Sequence, residues 1–152
     1  MKKLATVLSI GVLSTGFAFA QNTMSDCSKS GMSESCDLKV FNAEVKAPNG
    51  NNTEVKMNIK NSGNETVDII AAYSPIDEKT QLHHFVTNSN GQRVMKQISS
   101  IEVYPHNEVD LSFQELHIML IGLKDKLKKG QDVPVTLILE DGSTISITAK
   151  VD

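Results

Sequence analysis

Five side chains in this sequence have the chemistry of soft-metal ligands: His83, His84, Met95, His117 and Met119. The clearest case is the stretch "ELHIML", Glu115 to Leu120. Read with the period of two expected of a strand, Leu116, Ile118 and Leu120 share one face, and Glu115, His117 and Met119 share the other. The first set is a core face. His117 and Met119 therefore project from the side the core does not need, with Cβ atoms about 6–7 Å apart, close enough to converge on one ion. The same test separates the adjacent histidines in "TQLHHFV". Leu82, His84 and Val86 share one face, and Gln81, His83 and Phe85 the other. With Leu82 and Val86 in the core, His83 points outward as His117 does, unless a bulge reverses the order. Met95 taken alone reads as a core methionine. Met57, between Val55 and Ile59, reads the same way, and His106, after Pro105 in a turn, reads as a solvent-facing residue.

Imidazole beside thioether narrows the choice of metal. A thioether is a soft, neutral donor that suits Cu(I) and adds little affinity for Zn(II), Mg or Ca. Hard cations require carboxylates, which this set of residues lacks. A blue-copper electron-transfer centre requires a Cys thiolate between its histidines, and both cysteines, Cys27 and Cys36, lie far upstream. There is no Gly-rich phosphate loop, no Ser–His–acid arrangement and no His-Glu-x-x-His pair, so hydrolysis and group transfer have no support and the expectation is a non-enzyme.

These side chains need strands to position them, and the pattern is β throughout from Leu38. "TEVKMNIKN" alternates Val55, Met57 and Ile59 with Glu54, Lys56, Asn58 and Lys60, a half-buried strand. Further strands are predicted at Val67–Ser74, Gln81–Thr87, Arg93–Ile98, Ile101–Tyr104, Val109–Phe113 and Glu115–Ile121. A hairpin over Val133–Val151 is predicted to turn at Asp141-Gly142. The piece Leu123–Gly130 allows at most one helical turn. Many short strands with regular turn signals predict an antiparallel β-sandwich or barrel.

The first twenty of the 152 residues read as a secretory signal. Lys2 and Lys3 precede a short apolar run from Leu4 to Phe17, and "AFA" supplies a small-x-small cleavage site before Gln21. That run is too short to span a bilayer, so cleavage is expected to leave no membrane anchor. Residues 21–37 read as a flexible leader rich in Ser, Met and Cys, and residues 38–152 as one domain. Losing Lys2 and Lys3 takes the formal charge from −3 to −5, which argues against nucleic acid and anionic membrane surfaces as partners. In an oxidising exported compartment Cys27 and Cys36 are candidates for a disulfide. With Met24 and Met32 they form, alternatively, a second soft-metal patch.

The spacing His84, ten residues, Met95, twenty-one residues, His117-x-Met119 matches the His-x10-Met-x21-His-x-Met pattern of the periplasmic PCu(A)C copper chaperones. The text around it resembles that family too: "SPIDEKTQLH", "IEVYPHNEVDL" and "LHIMLIGLKDKLKKGQDVPVTLILEDG", with the likeness running from about Val45 to Val151. The resemblance implies a cupredoxin-like β-sandwich of Greek-key type holding Cu(I) in a shallow, fairly exposed site. It implies delivery towards the Cu(A) subunit of cytochrome c oxidase, alongside Sco-type proteins. Met95, His117 and Met119 become ligands. Counting back from Met95 selects His84 as the fourth, whereas strand parity and the alignment of "EKTQLH" select His83. Phe85 and Gln97 stand where family members often carry further methionines, so this site is poorer in thioethers. Two other readings remain: a copper storage or resistance protein, and a structural β-sandwich that binds no metal.

Overall fold

A computed structural model of the chain describes residues 25–28, 37–113 and 115–152. It contains eleven strands: β1 (Ser25–Ser28), β2 (Leu38–Val45), β3 (Asn52–Asn61), β4 (Val67–Tyr73), β5 (Asp77–Thr87), β6 (Arg93–Gln97), β7 (Ile101–Val103), β8 (Glu108–Leu111), β9 (Leu116–Leu123), β10 (Asp132–Leu139) and β11 (Thr144–Val151). The expected all-β architecture is what forms. Leu123–Gly130, where one helical turn was allowed, ends β9 and continues as bends and a turn, and no helix occurs among the described residues. The hydrogen-bonded order is β6-β5-β9-β3-β2-β1-β11-β10-β4-β7, with β8 on the remaining side of β3 and a direct parallel contact between β2 and β11. One continuous sheet thus folds into two layers around one apolar core, drawn from Leu38 and Val40 through Val151.

Alternation decides which side chains enter that core. Val55, Met57 and Ile59 of β3 are buried, and so are Val133, Val135, Leu137 and Leu139 of β10 with Ile145, Ile147, Ala149 and Val151 of β11. The β10–β11 hairpin closes as the Asp-Gly signal requires. Gly142 adopts φ 84°, and the Asp141 carboxylate accepts the Ser143 N–H at 2.9 Å. In β2 the alternation breaks, because Leu38, Val40 and Val45 are all buried. The register shifts between Phe41 and Glu44, where Asn42 takes φ 55°, and this bulge moves Val45 onto the core face.

Within the segment read as a flexible leader, Ser25–Ser28 forms β1. It pairs antiparallel with β2 (Ser25 opposite Val40) and with β11 (Cys27 opposite Ile145). The reason is geometric. β2 and β11 pair directly only at Lys150–Glu44 and Val151–Val45, so away from that end their facing backbone groups accept a third strand. Residues 1–20, read as a signal, and Met24, Met32 and Cys36 lie outside the described residues, as does the question of a Cys27–Cys36 bridge.

Two local hydrogen-bond clusters position β5 and β6. Ahead of β5, the Asp77 carboxylate accepts the Thr80 hydroxyl at 2.9 Å, and that hydroxyl accepts the Ser74 N–H at 3.1 Å. This knot sets where β5 starts, six residues before His83. Burial raises the Asp77 carboxyl above its ordinary 3.8, although bonds from Thr80 and the Ile121 N–H act in the opposite direction. A raised folded-state value means folding favours the protonated acid. Its stabilising contribution is complete below the unfolded value and is lost as pH rises through the folded one. Asp77→Asn, which stays neutral, is expected to gain in melting temperature relative to wild type as pH climbs from below 4 towards neutrality. Thermal scans across that window check the sign. Beyond β5, the hairpin into β6 is closed by Asn88, whose side-chain oxygen accepts the N–H groups of Asn90 and Gln92 at 3.0 and 2.9 Å. It brings Met95 level with Phe85.

Candidate metal centre

The register of β6, β5, β9 and β3 assembles the site. Residues directly opposite each other in neighbouring strands share a face. His83 lies opposite His117 on one side and Gln97 on the other, Gln81 lies opposite Met119, and Phe85 lies opposite Met95. His83, Met95, His117 and Met119 therefore occupy one face of the sheet. His84 lies opposite Leu116 and Lys96, on the other face with Leu82 and Ile118. The parity reading holds with no bulge in β5 at this point, and the two histidines are divided as it predicts.

The burial of the group differs from the shallow arrangement implied by the resemblance. His117 is 0% exposed and His83 only 8%, whereas Met119 is half-buried and Met95 is 39% exposed. Three aromatic rings stack at this point. The His83 and His117 ring centres are 5.9 Å apart, and Phe85 leans on His117 at 5.7 Å. Phe85 is in turn covered by the Arg93 guanidinium at 5.4 Å, and Arg93 pairs with Glu115 at 2.9 Å. That ion pair is exposed and contributes at most about 1 kcal/mol, so its effect is to position Phe85 rather than to stabilise the fold. The imidazoles form the floor of the site, and Met95 its rim.

Hydrogen bonding leaves one nitrogen on each ring without a partner. The His117 Nδ1–H donates to the Glu115 backbone carbonyl at 3.0 Å, so Nε2 carries the lone pair. The His83 Nε2–H donates to the Gln81 side-chain oxygen at 2.8 Å, which leaves the lone pair on Nδ1. Both lone-pair nitrogens are buried and accept no hydrogen bond among the described residues. Buried acceptors left in this condition cost about 1–3 kcal/mol each. On the opposite face of β9, Ile118 and Leu120 are 0% exposed and contribute about 1.5–3 kcal/mol each, enough to hold the strand in place despite that cost. A ligating nitrogen sits about 2.0–2.1 Å from its ion, so one ion joins two ring centres up to roughly 6.4 Å apart. The observed 5.9 Å lies inside that reach. Burial, and secondarily the neighbouring His117, lowers the His83 pKa below its ordinary 6.5, which keeps that lone pair free at neutral pH.

Glu54 corrects the reading that the constellation lacks carboxylates. It lies opposite Met119 across β3–β9, and its Oε1 is 3.8 Å from His117 Nε2. Its other oxygen faces Lys46 at 3.6 Å, and Lys46 and Lys56 both lie over the Phe113 ring, at 5.6 and 5.1 Å. Alternation in "TEVKMNIKN" already put Glu54 off the core face, but its place beside His117 depends on which strand pairs with β3. Gln81, the partner of His83, lies two residues before it on the same strand face, where alternation had already placed it. Among the described residues no three His, Cys, Asp or Glu side chains converge closely enough to hold an ion as they stand. A site on this face needs the thioethers. His106 is exposed and bonded to Asn64 at 2.9 Å, remote from the group.

The comparisons with known proteins agree with this architecture. Residues 38–151 match the family model described as "Putative lipoprotein LpqE-like". The "Putative lipoprotein Lxx21020" of Leifsonia xyli subsp. xyli is 32% identical over 114 residues, covering 75% of this chain and 69% of that protein. The solution structure of CuI-DR1885 from Deinococcus radiodurans superposes with a TM-score of 0.60 at 28% identity, covering 72% of this chain and 74% of that one. The copper-bound PCuAC domain from PmoF2 superposes with a TM-score of 0.64 at 19% identity, covering 76% and 92%. At that identity it speaks for the fold alone, the cupredoxin-like β-sandwich.

Proposed function

This chain belongs to the LpqE-like family, which is the family of PCu(A)C domains, and on that premise we propose that it is a Cu(I) carrier and not an enzyme. The observation that carries the reading is the pair of buried imidazoles, each with an unpartnered lone-pair nitrogen, on one sheet face with two thioethers. His83 and His117 would supply the nitrogen donors, and Met119 and Met95 the sulfur donors. All four are neutral, so Cu(I) binds without proton release and keeps its single charge. His84, on the other face, is left out of the set. The gradient from buried His117 to exposed Met95 supports transfer by ligand exchange. An acceptor's donor displaces Met95 first, at the rim, while the imidazoles still hold the ion.

We further propose that the protein is exported to the periplasm by its N-terminal segment. There it passes copper towards the Cu(A) subunit of cytochrome c oxidase, directly or through a Sco-type protein. Among the described residues no helix is long and apolar enough to cross a membrane. The test is an anaerobic titration of the full chain against a chromophoric Cu(I) chelator. One Cu(I) per chain, with no competition from excess Zn(II), supports the carrier. Three or more ions per chain would point instead to storage, and none would sink the copper reading.

A further inference from the structure

Glu54 is a carboxylate that nothing in a Cu(I) site requires. It is 86% buried by side chain, and one of its oxygens accepts no hydrogen bond among the described residues. Its position on His117 is informative. A carboxylate that merely orients a ligating histidine bonds the nitrogen behind the metal. On His117 that nitrogen is Nδ1, already bonded to the Glu115 carbonyl, and Glu54 sits at the opposite, ligating end, 3.8 Å from Nε2. It also lies directly across from Met119 on the neighbouring strand. An ion held by His117 and Met119 would have Glu54 at its side.

We propose that Glu54 extends this site to Cu(II), as an oxygen donor and counter-charge that Cu(I) does not use. The inference rests on the copper reading above. Cu(II) is harder than Cu(I) and prefers nitrogen and oxygen to thioether. Held by neutral donors alone it would place two uncompensated charges in a poorly solvated site, a costly arrangement. One carboxylate returns the net charge to +1, the value Cu(I) has among neutral donors. His83, His117 and Glu54 do not converge as they stand, so the Glu54 side chain turns away from Lys46 to reach the ion. Lys46 is 46% exposed and only 3.6 Å from Glu54, so it can release the carboxylate into water at little cost. Lys46 is the resting partner, and the ion replaces it.

The experiment measures Cu(I) and Cu(II) affinities of the full chain by chelator competition, for wild type, Glu54→Gln and Lys46→Gln, with an NMR fingerprint of each apo protein. Glu54→Gln is expected to weaken Cu(II) at least tenfold and Cu(I) less than threefold, and to change the Cu(II) EPR spectrum. Lys46→Gln leaves Glu54 in place, removes its competitor and is expected to strengthen Cu(II) about threefold. Unchanged Cu(II) affinity in Glu54→Gln overturns the proposal. So does an equal loss of both ions, which would make Glu54 a prop for His117, and so does weaker Cu(II) binding in Lys46→Gln. Wild type that binds Cu(I) but no Cu(II) defeats this inference alone. Wild type that binds neither defeats the copper reading beneath it.

Discussion

His117→Phe is expected to lose Cu(I) affinity by at least about a hundredfold, or about 2.7 kcal/mol, while the apo protein melts at the same temperature or higher. The first half follows from removing the most enclosed donor. His117 is 0% exposed, between His83 and Phe85, and its Nε2 is an acceptor that no protein group satisfies. Loss of an orienting partner alone costs a metal site about 10–100-fold, and loss of a ligand costs more. The second half follows from the same unsatisfied nitrogen. Phe keeps a planar ring between its neighbours and removes a buried acceptor that costs about 1–3 kcal/mol. The Glu115 carbonyl loses the His117 Nδ1–H but keeps the Phe85 N–H, at 3.3 Å. Opposite movements of copper affinity and apo stability mark a residue kept for binding. A variant that melts well below wild type, or that holds copper as tightly, would defeat that assignment.

The second large effect separates two neighbouring residues. His83→Ala is expected to weaken Cu(I) at least tenfold, and His84→Ala by less than threefold. His83 faces His117 across β5–β9 with its Nδ1 unpartnered, whereas His84 faces Leu116 and Lys96 on the other side of the sheet. The contrast is measured in the same chelator competition. The reverse ranking would mean that counting residues back from Met95, not strand parity, identifies the ligand.

Both predictions turn on a distinction that could be read from the chain before its fold was known. Period-two alternation in "ELHIML" and "TQLHHFV" assigned His117, Met119 and His83 to the faces opposite Ile118 and Leu82, because successive Cβ atoms in a strand must point to opposite sides. The same local rule located the β10–β11 hairpin and its Asp141-Gly142 turn, and the all-β class came from strand and turn spacing. Donor chemistry, too, was legible from residue types alone, since a thioether is soft wherever the chain places it.

Tertiary structure decided how these pieces meet. That β9 lies between β5 and β3 is a long-range pairing that no local pattern encodes. It puts His83 opposite His117 and Glu54 opposite Met119, and it brings in the Phe85 ring that encloses what was expected to be an open site. The strand at Ser25–Ser28 was hidden for the same reason. Its own sequence lacks strand periodicity, and it forms because β2 and β11 part and leave backbone groups to be paired. Alternation along one strand assigns the face on which a side chain lies. The register between strands assigns its neighbours, and in this protein those neighbours determine which imidazole nitrogens are left for a metal.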